Sequence, residues 1–120
     1  MHEEIKRWFA QGKEDLDTAV YLFEGGKYKQ SSFYSQQTVE KVLKALLLKK
    51  TSTLIKIHDL VRLAKLVELD AKFMADCEKL TFVYIDARYP DTLSTSYSEE
   101  ETKLDLDRAR RILQWVEKKI

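Results

Sequence analysis

The sequence has no asparagine, one cysteine, one proline and three glycines among 120 residues. Cys77 has no second cysteine to pair with, which excludes an internal disulfide and predicts a reducing compartment, the cytoplasm. The longest apolar run, residues 19–23, is far too short to cross a bilayer, and the first residues predict no signal peptide. We therefore expect no membrane partner.

Several functional motifs are also missing from the sequence. It contains no glycine-rich phosphate loop, no His/Cys spacing for a metal and no Ser/His/Asp set, so we expect neither a metal nor a cofactor. The net charge is only +1, and any binding to nucleic acid would therefore need a local basic patch.

What the sequence does contain is helical periodicity. Apolar residues recur every three or four positions, and the first such stripe ends at Gly25 and Gly26, which accept the left-handed conformation that ends helices. A second helix is predicted from about Tyr28 to Lys50. This helix has a second regularly spaced face, which predicts another neighbour there and hence a homodimer: Tyr34, Gln37, Lys41 and Lys44.

Three shorter helices follow in the pattern. The stripe from Ile57 to Val67 predicts the third, and Asp70 is the expected N-cap of the fourth. Pro90 disfavours helical geometry at the residue before it, so the fourth helix should end near Arg88. Ser98 begins a capping box for the fifth. We expect one all-α domain over residues 1–120, an up-and-down bundle of about five helices.

The stretch around the proline is the least regular part of the sequence and has two explanations. In the first, Arg88 lies at a helix C-terminus, where a cation is favoured, and Pro90 simply stops the helix. In the second, Arg88, Tyr89 and Asp91 line a cleft that binds phosphate or a nucleotide, and Tyr84, one turn earlier, stacks on a base.

Other polar residues also have alternative explanations. His58 is either a polar residue at a helix start or a site histidine that folding brings near Arg88. Lys41 and Lys44 either extend a basic surface or lie on an exposed or dimer-facing side of the helix. Because Glu40 lies four positions before Lys44, we expect a surface ion pair between them. A basic run interleaved with acids is expected to be a solvated face rather than an RNA groove: Arg108, Arg110, Arg111, Lys118 and Lys119.

Several segments together carry a family resemblance. They are the stretch from Trp8 to Leu48, with its Gly-Gly-Lys-Tyr turn and its Gln-x-x-Glu-Lys-x-x-Lys-Ala pattern, the IHDL of residues 57–60 and the ARYPD of residues 87–91. In this order they resemble the HEPN domain family (higher eukaryotes and prokaryotes nucleotide-binding), in its small stand-alone prokaryotic form. The resemblance spans nearly the whole chain and implies a helical bundle that is usually a homodimer.

The resemblance also bears on activity. Many HEPN proteins are metal-independent ribonucleases whose motif is an arginine and a histidine with four to six residues in between. Arg88 matches the arginine, but Leu93, Ser94 and Thr95 stand where the histidine would fall, so an enzyme is not favoured. In some members the motif continues to a tyrosine that a companion nucleotidyltransferase modifies with AMP, and Tyr97 has the matching spacing.

Three functions remain open on this basis. The first is a non-catalytic or weakly active protein that binds a nucleotide or RNA and partners a minimal nucleotidyltransferase, as in toxin–antitoxin pairs. The second is a ribonuclease toxin in which His58, or Arg88 with Asp91, replaces the missing histidine. The third is a purely structural dimerisation module.

Overall fold

A computed structural model describes residues 2–89 and 97–120, which form five α-helices and, within these two ranges, no strand. The predicted all-α fold is therefore confirmed. Pro90, Asp91 and the positions of the missing histidine lie outside the described residues. The helices are α1 His2–Glu24, α2 Tyr28–Thr51, α3 Leu60–Leu66, α4 Met74–Asp86 and α5 Glu99–Glu117, with a 3-10 turn Ala71–Phe73 before α4.

The first two helices form a tight antiparallel hairpin. Gly26, with φ of 78°, makes the left-handed turn between them, as the sequence predicts. Small residues let the two backbones approach: a Cβ on Gly12 would lie 2.6 Å from Val42 Cγ1, and the Ser31 hydroxyl donates to the Ala19 carbonyl at 2.7 Å. This close packing fixes which α2 side chains face α1.

Side-chain caps decide where the shorter helices begin. The Asp59 carboxylate accepts hydrogen bonds from the amides of Val61 and Arg62, so α3 begins at Leu60 and not at Ile57 as predicted. Asp70 caps the 3-10 turn instead of α4 itself. Ser98 accepts from the Glu101 amide, which confirms the predicted start of α5.

Helix α2 is the centre of the bundle and contacts all four other α-helices. Its residues Leu43, Leu46 and Leu47 are almost fully buried with Leu60 and Leu63 of α3. The central position of α2 means that polar groups on several of its sides are enclosed by the rest of the chain.

The single cysteine is part of the core. Burial and the nearby Asp76 carboxylate raise the pKa of the Cys77 thiol to about 12, so it stays protonated and unreactive at neutral pH. In the described part of the chain, none of the helices combines the length and apolar character of a membrane span.

Candidate functional site

Folding brings His58 and Arg88 to the same aromatic ring. The His58 imidazole stacks on Tyr84 with ring centroids 4.6 Å apart and an angle of 18° between the planes. The Arg88 guanidinium carbon lies 4.8 Å from the centroid of the same tyrosine. His58 precedes α3, whereas Tyr84 lies in α4 and Arg88 just beyond its end, so packing of α3 against α4 creates this cluster.

A buried carboxylate orients the histidine. His58 Nδ1 lies 2.9 and 3.0 Å from the two carboxylate oxygens of Glu40. Since a carboxylate can only accept, Nδ1 carries a proton and donates it, which leaves Nε2 as the acceptor of the neutral ring. The His58 side chain is 51% exposed, so the oriented ring also faces solvent.

Glu40 in turn is held by Lys44. Its carboxylate accepts from Lys44 Nζ at 2.9 Å and from Gln36 Nε2 at 3.0 Å. Burial by itself would raise the pKa of Glu40, but the hydrogen bonds from Lys44, Gln36 and His58 outweigh burial and hold the pKa below its ordinary value. The carboxylate is therefore ionised at neutral pH.

The Glu40–Lys44 pair corrects one prediction. We expected a surface ion pair, but the two side chains are only 4% and 5% exposed. The Lys44 ammonium also lies 5.6 Å from the centroid of the Trp8 ring on α1. Lys44 therefore does not extend an exposed basic surface; it stabilises the carboxylate that orients His58.

The first turns of α2 add a groove beside Arg88. The groove has a volume of about 150 Å³ and is lined by Lys29, Gln30, Phe33, Tyr34, Ala87 and Arg88. Phe33 extends the aromatic cluster, with its ring centroid 6.3 Å from Tyr84 and 5.8 Å from Tyr34. Phe33 and Lys29 were not predicted as site residues. The signal in the sequence was the adjacent pair Phe33 and Tyr34, since neighbouring positions on a helix do not face the same way.

Lys41 lies apart from this cluster and faces α1. Its Nζ is 3.3 Å from the Asp15 carboxylate and 3.1 Å from Gln37 Oε1. The second regular face of α2 therefore packs partly against the first helix of the same chain, and the dimer contact that we expected there stays a prediction. Tyr89 follows Arg88 and is 53% exposed.

Tyr97 is tied to the end of α4. Its hydroxyl donates to Asp86 Oδ2 at 2.6 Å. Burial and this hydrogen bond raise the pKa of Tyr97, so the phenol is held in its protonated form. Modification of Tyr97 stays a prediction, and it requires the bond to Asp86 to break first.

The cluster combines groups that are suited to phosphate and proton chemistry. Arg88 offers a planar fork for a phosphate, the rings offer stacking surfaces, and His58 Nε2 can accept a proton. Within residues 2–89 and 97–120, no group of three or more His, Cys, Asp or Glu side chains has an arrangement that could hold a metal ion.

The buried pair leads to a prediction about stability. Glu40→Gln leaves the Lys44 charge buried without its partner, so we expect a loss of about 3–5 kcal/mol in the free energy of unfolding at neutral pH. Because the pKa of Glu40 is lowered in the folded chain, its contribution is present at neutral pH and is lost as the pH falls through that pKa. Urea unfolding at neutral and acidic pH measures both effects.

The matched control is Glu40→Gln combined with Lys44→Met, which removes both charges. It should lose less stability than Glu40→Gln alone, since no buried charge is left unpaired. A single variant within about 1 kcal/mol of wild type would instead indicate a weak, surface-like pair.

Comparison with known proteins places the chain in a family. The family model described as the HEPN domain matches residues 5–119. The crystal structure of TT1696 from Thermus thermophilus is similar with a TM-score of 0.89, 27% identity and 98% of each chain covered. ST0689, described as an archaeal HEPN homologue, is similar with a TM-score of 0.81, 30% identity and 97% of each chain covered.

No curated protein is significantly similar to the chain. The family match nevertheless extends from the first turn of α1 to the end of α5, and it includes every helix that builds the Arg88, Tyr84 and His58 cluster. The chain belongs to the HEPN domain family.

Proposed function

We propose that the protein binds a nucleotide or single-stranded RNA at the cluster of Arg88, Tyr84 and His58. The observation that carries this proposal is the convergence of a cation and an oriented imidazole on one tyrosine ring, 4.8 and 4.6 Å from its centroid. If Arg88 served only to end its helix, it would need neither the stacked His58 nor the buried Glu40 carboxylate behind that ring. That explanation therefore does not account for these two features.

The groove beside Arg88 supports the same ligand chemistry. Arg88 and Lys29 supply positive charge there, and no acid is among the described residues that line it. Phe33 and Tyr34 provide aromatic surface for a base, and base–aromatic stacking contributes about 1–3 kcal/mol per base. Because the net charge of the whole chain is only +1, binding of an anionic nucleotide or RNA requires a local positively charged site such as this groove.

Binding should depend on Arg88. We expect Arg88→Ala to weaken binding of a labelled single-stranded RNA by roughly tenfold or more, since hydrogen bonds to charged groups contribute about 1.5–3 kcal/mol. Fluorescence polarisation in EDTA measures the affinity, with ATP as a competitor to separate nucleotide from RNA binding. Arg62→Ala is the matched control, because Arg62 is an exposed arginine on α3.

Three results decide the binding proposal. Loss of affinity in Arg88→Ala but not in Arg62→Ala supports it. Equal loss in both variants would mean that only general charge matters. Absence of binding by the wild type would contradict the proposal and favour a purely structural dimerisation module.

A metal-independent ribonuclease is the second candidate, and the Glu40–His58 contact is the observation that favours it. Neutral His58 Nε2 would take the proton of a 2′-hydroxyl, whose oxygen then bonds to phosphorus. The bond to the 5′-oxygen breaks, that oxygen takes a proton from solvent, and a 2′,3′-cyclic phosphate remains. Cleavage in EDTA that vanishes in both Arg88→Ala and His58→Ala identifies this activity; binding without cleavage rejects it.

The partner and the biological setting rest on family resemblance. We propose a minimal nucleotidyltransferase as the partner, within a toxin–antitoxin pair, with Tyr97 as the residue that receives AMP. Mass spectrometry of the chain after incubation with such an enzyme and ATP tests this. AMP on another residue, or on none, contradicts it.

We also propose that the protein is a homodimer, with its contact on α4. Phe82 and Ile85 are 52% and 56% exposed on this helix, and Tyr89 lies close beyond it. Large apolar side chains exposed this far and near one another are typical of a protein interface. The arrangement would also place Arg88 next to the second subunit.

Light scattering tests the dimer. Wild type should exceed the 14.1 kDa of one chain, and Ile85→Asp should return it to that mass, because a buried charge without a partner opposes association. Tyr21→Asp, at a 76% exposed aromatic residue on α1, should leave the dimer intact. A monomeric wild type at micromolar concentration would contradict the proposal.

A further inference from the structure

A second groove lies between the 3-10 turn and the last turns of α5. Its volume is about 350 Å³, and it is lined by Lys72, Phe73, Arg111, Gln114, Trp115 and Lys118. On α5, Gln114 and Trp115 lie three and four positions after Arg111, so they share one side of the helix, and Lys118 follows just beyond its end. Phe73 and Trp115 form an aromatic floor, with ring centroids 6.4 Å apart at 73°.

This groove concentrates positive charge. Lys72, Arg111 and Lys118 line it, and the described residues around it include no acid in the lining. Lys119 adds a further cation, since its Nζ lies 4.9 Å from the centroid of the Trp115 ring. Four positive groups therefore surround one aromatic floor in a chain whose net charge is only +1.

The other arginines of the same run are neutralised by neighbours. Arg108 lies 2.7 Å from the Asp105 carboxylate, and Arg110 lies 3.2 Å from Asp107. Arg111 also pairs with an acid, Asp76, at 3.7 Å, and its side chain is 56% exposed. The basic run that we expected to be a solvated face thus contributes Arg111, Lys118 and Lys119 to the groove.

The groove is separate from the Arg88 cluster. At 1.5 Å per residue, about 24 Å of helix separates Glu99, at the start of α5, from Trp115. The start of α5 lies near the Arg88 end of α4, because Tyr97 bonds to Asp86. The groove lies toward the opposite end, where Lys13 pairs with Glu117.

We propose that this groove is a second anion-binding site, which takes a phosphorylated ligand with a flat ring, of about the size of a mononucleotide. Phosphate oxygens can contact several cations at once, and a guanidinium fork matches their geometry. The aromatic floor suits a ring attached to the phosphate. An acidic protein segment is the alternative ligand, and the proposal does not depend on any activity at Arg88.

The two tryptophans provide a direct test, since each gives one indole N–H signal in an NMR spectrum. AMP should shift the Trp115 signal to saturation and leave the Trp8 signal in place. We expect AMP binding to weaken at least tenfold in the double variant Lys72→Glu, Lys118→Glu. The control is the double variant Lys6→Glu, Lys103→Glu, which makes the same change of net charge elsewhere on the exposed surface and should not weaken binding. Arg88→Ala should leave the Trp115 response unchanged.

Other probes separate the ligand classes. Inorganic phosphate should compete with AMP, and adenosine should bind more weakly than AMP. A glutamate-rich peptide that shifts Trp115 at lower concentration than AMP would overturn the phosphate assignment. A Trp115 signal that AMP does not move, or that moves equally in both double variants, would overturn the site itself.

Discussion

The ion pair between Glu40 and Lys44 is the contact on which the candidate site depends. Both groups are almost fully buried, and an unpaired charge at such a place costs several kcal/mol. Lys44, one turn later on the same helix, offsets that cost, and Gln36, one turn earlier, donates a further hydrogen bond to the carboxylate. The carboxylate also accepts a hydrogen bond from His58. This bond anchors the non-helical segment that precedes α3.

Tyr84 links this internal polar network to the protein surface. Its ring contacts His58, Arg88 and Phe33, which come from three different parts of the chain. The oriented imidazole therefore reaches solvent beside a cation and an aromatic groove, while its carboxylate stays enclosed. An enclosed carboxylate thus orients an imidazole that faces solvent.

Much of the fold was predictable because the spacing of apolar residues indicates which side of a helix is buried. The predictions of the Gly26 turn and the Ser98 cap are confirmed. The start of α3 was misplaced because the apolar spacing at Ile57 continues upstream of the Asp59 cap. Arg88, Tyr84 and His58 were all predicted as candidates, but the stacking of His58 on Tyr84 was not, since these two residues are distant in sequence. The burial of Lys44 was missed because an i,i+4 pair has the same spacing in a core as on a surface.

The most direct measurement is NMR of the His58 ring nitrogens during addition of a short single-stranded RNA, with His2 in the same spectrum as a reference. Neutral His58 should carry its proton on Nδ1, and RNA should shift its Nε2 signal but not that of His2. The shift should disappear in Arg88→Ala. RNA that binds while both His58 nitrogens keep their signals would contradict a site built from Glu40, His58 and Arg88.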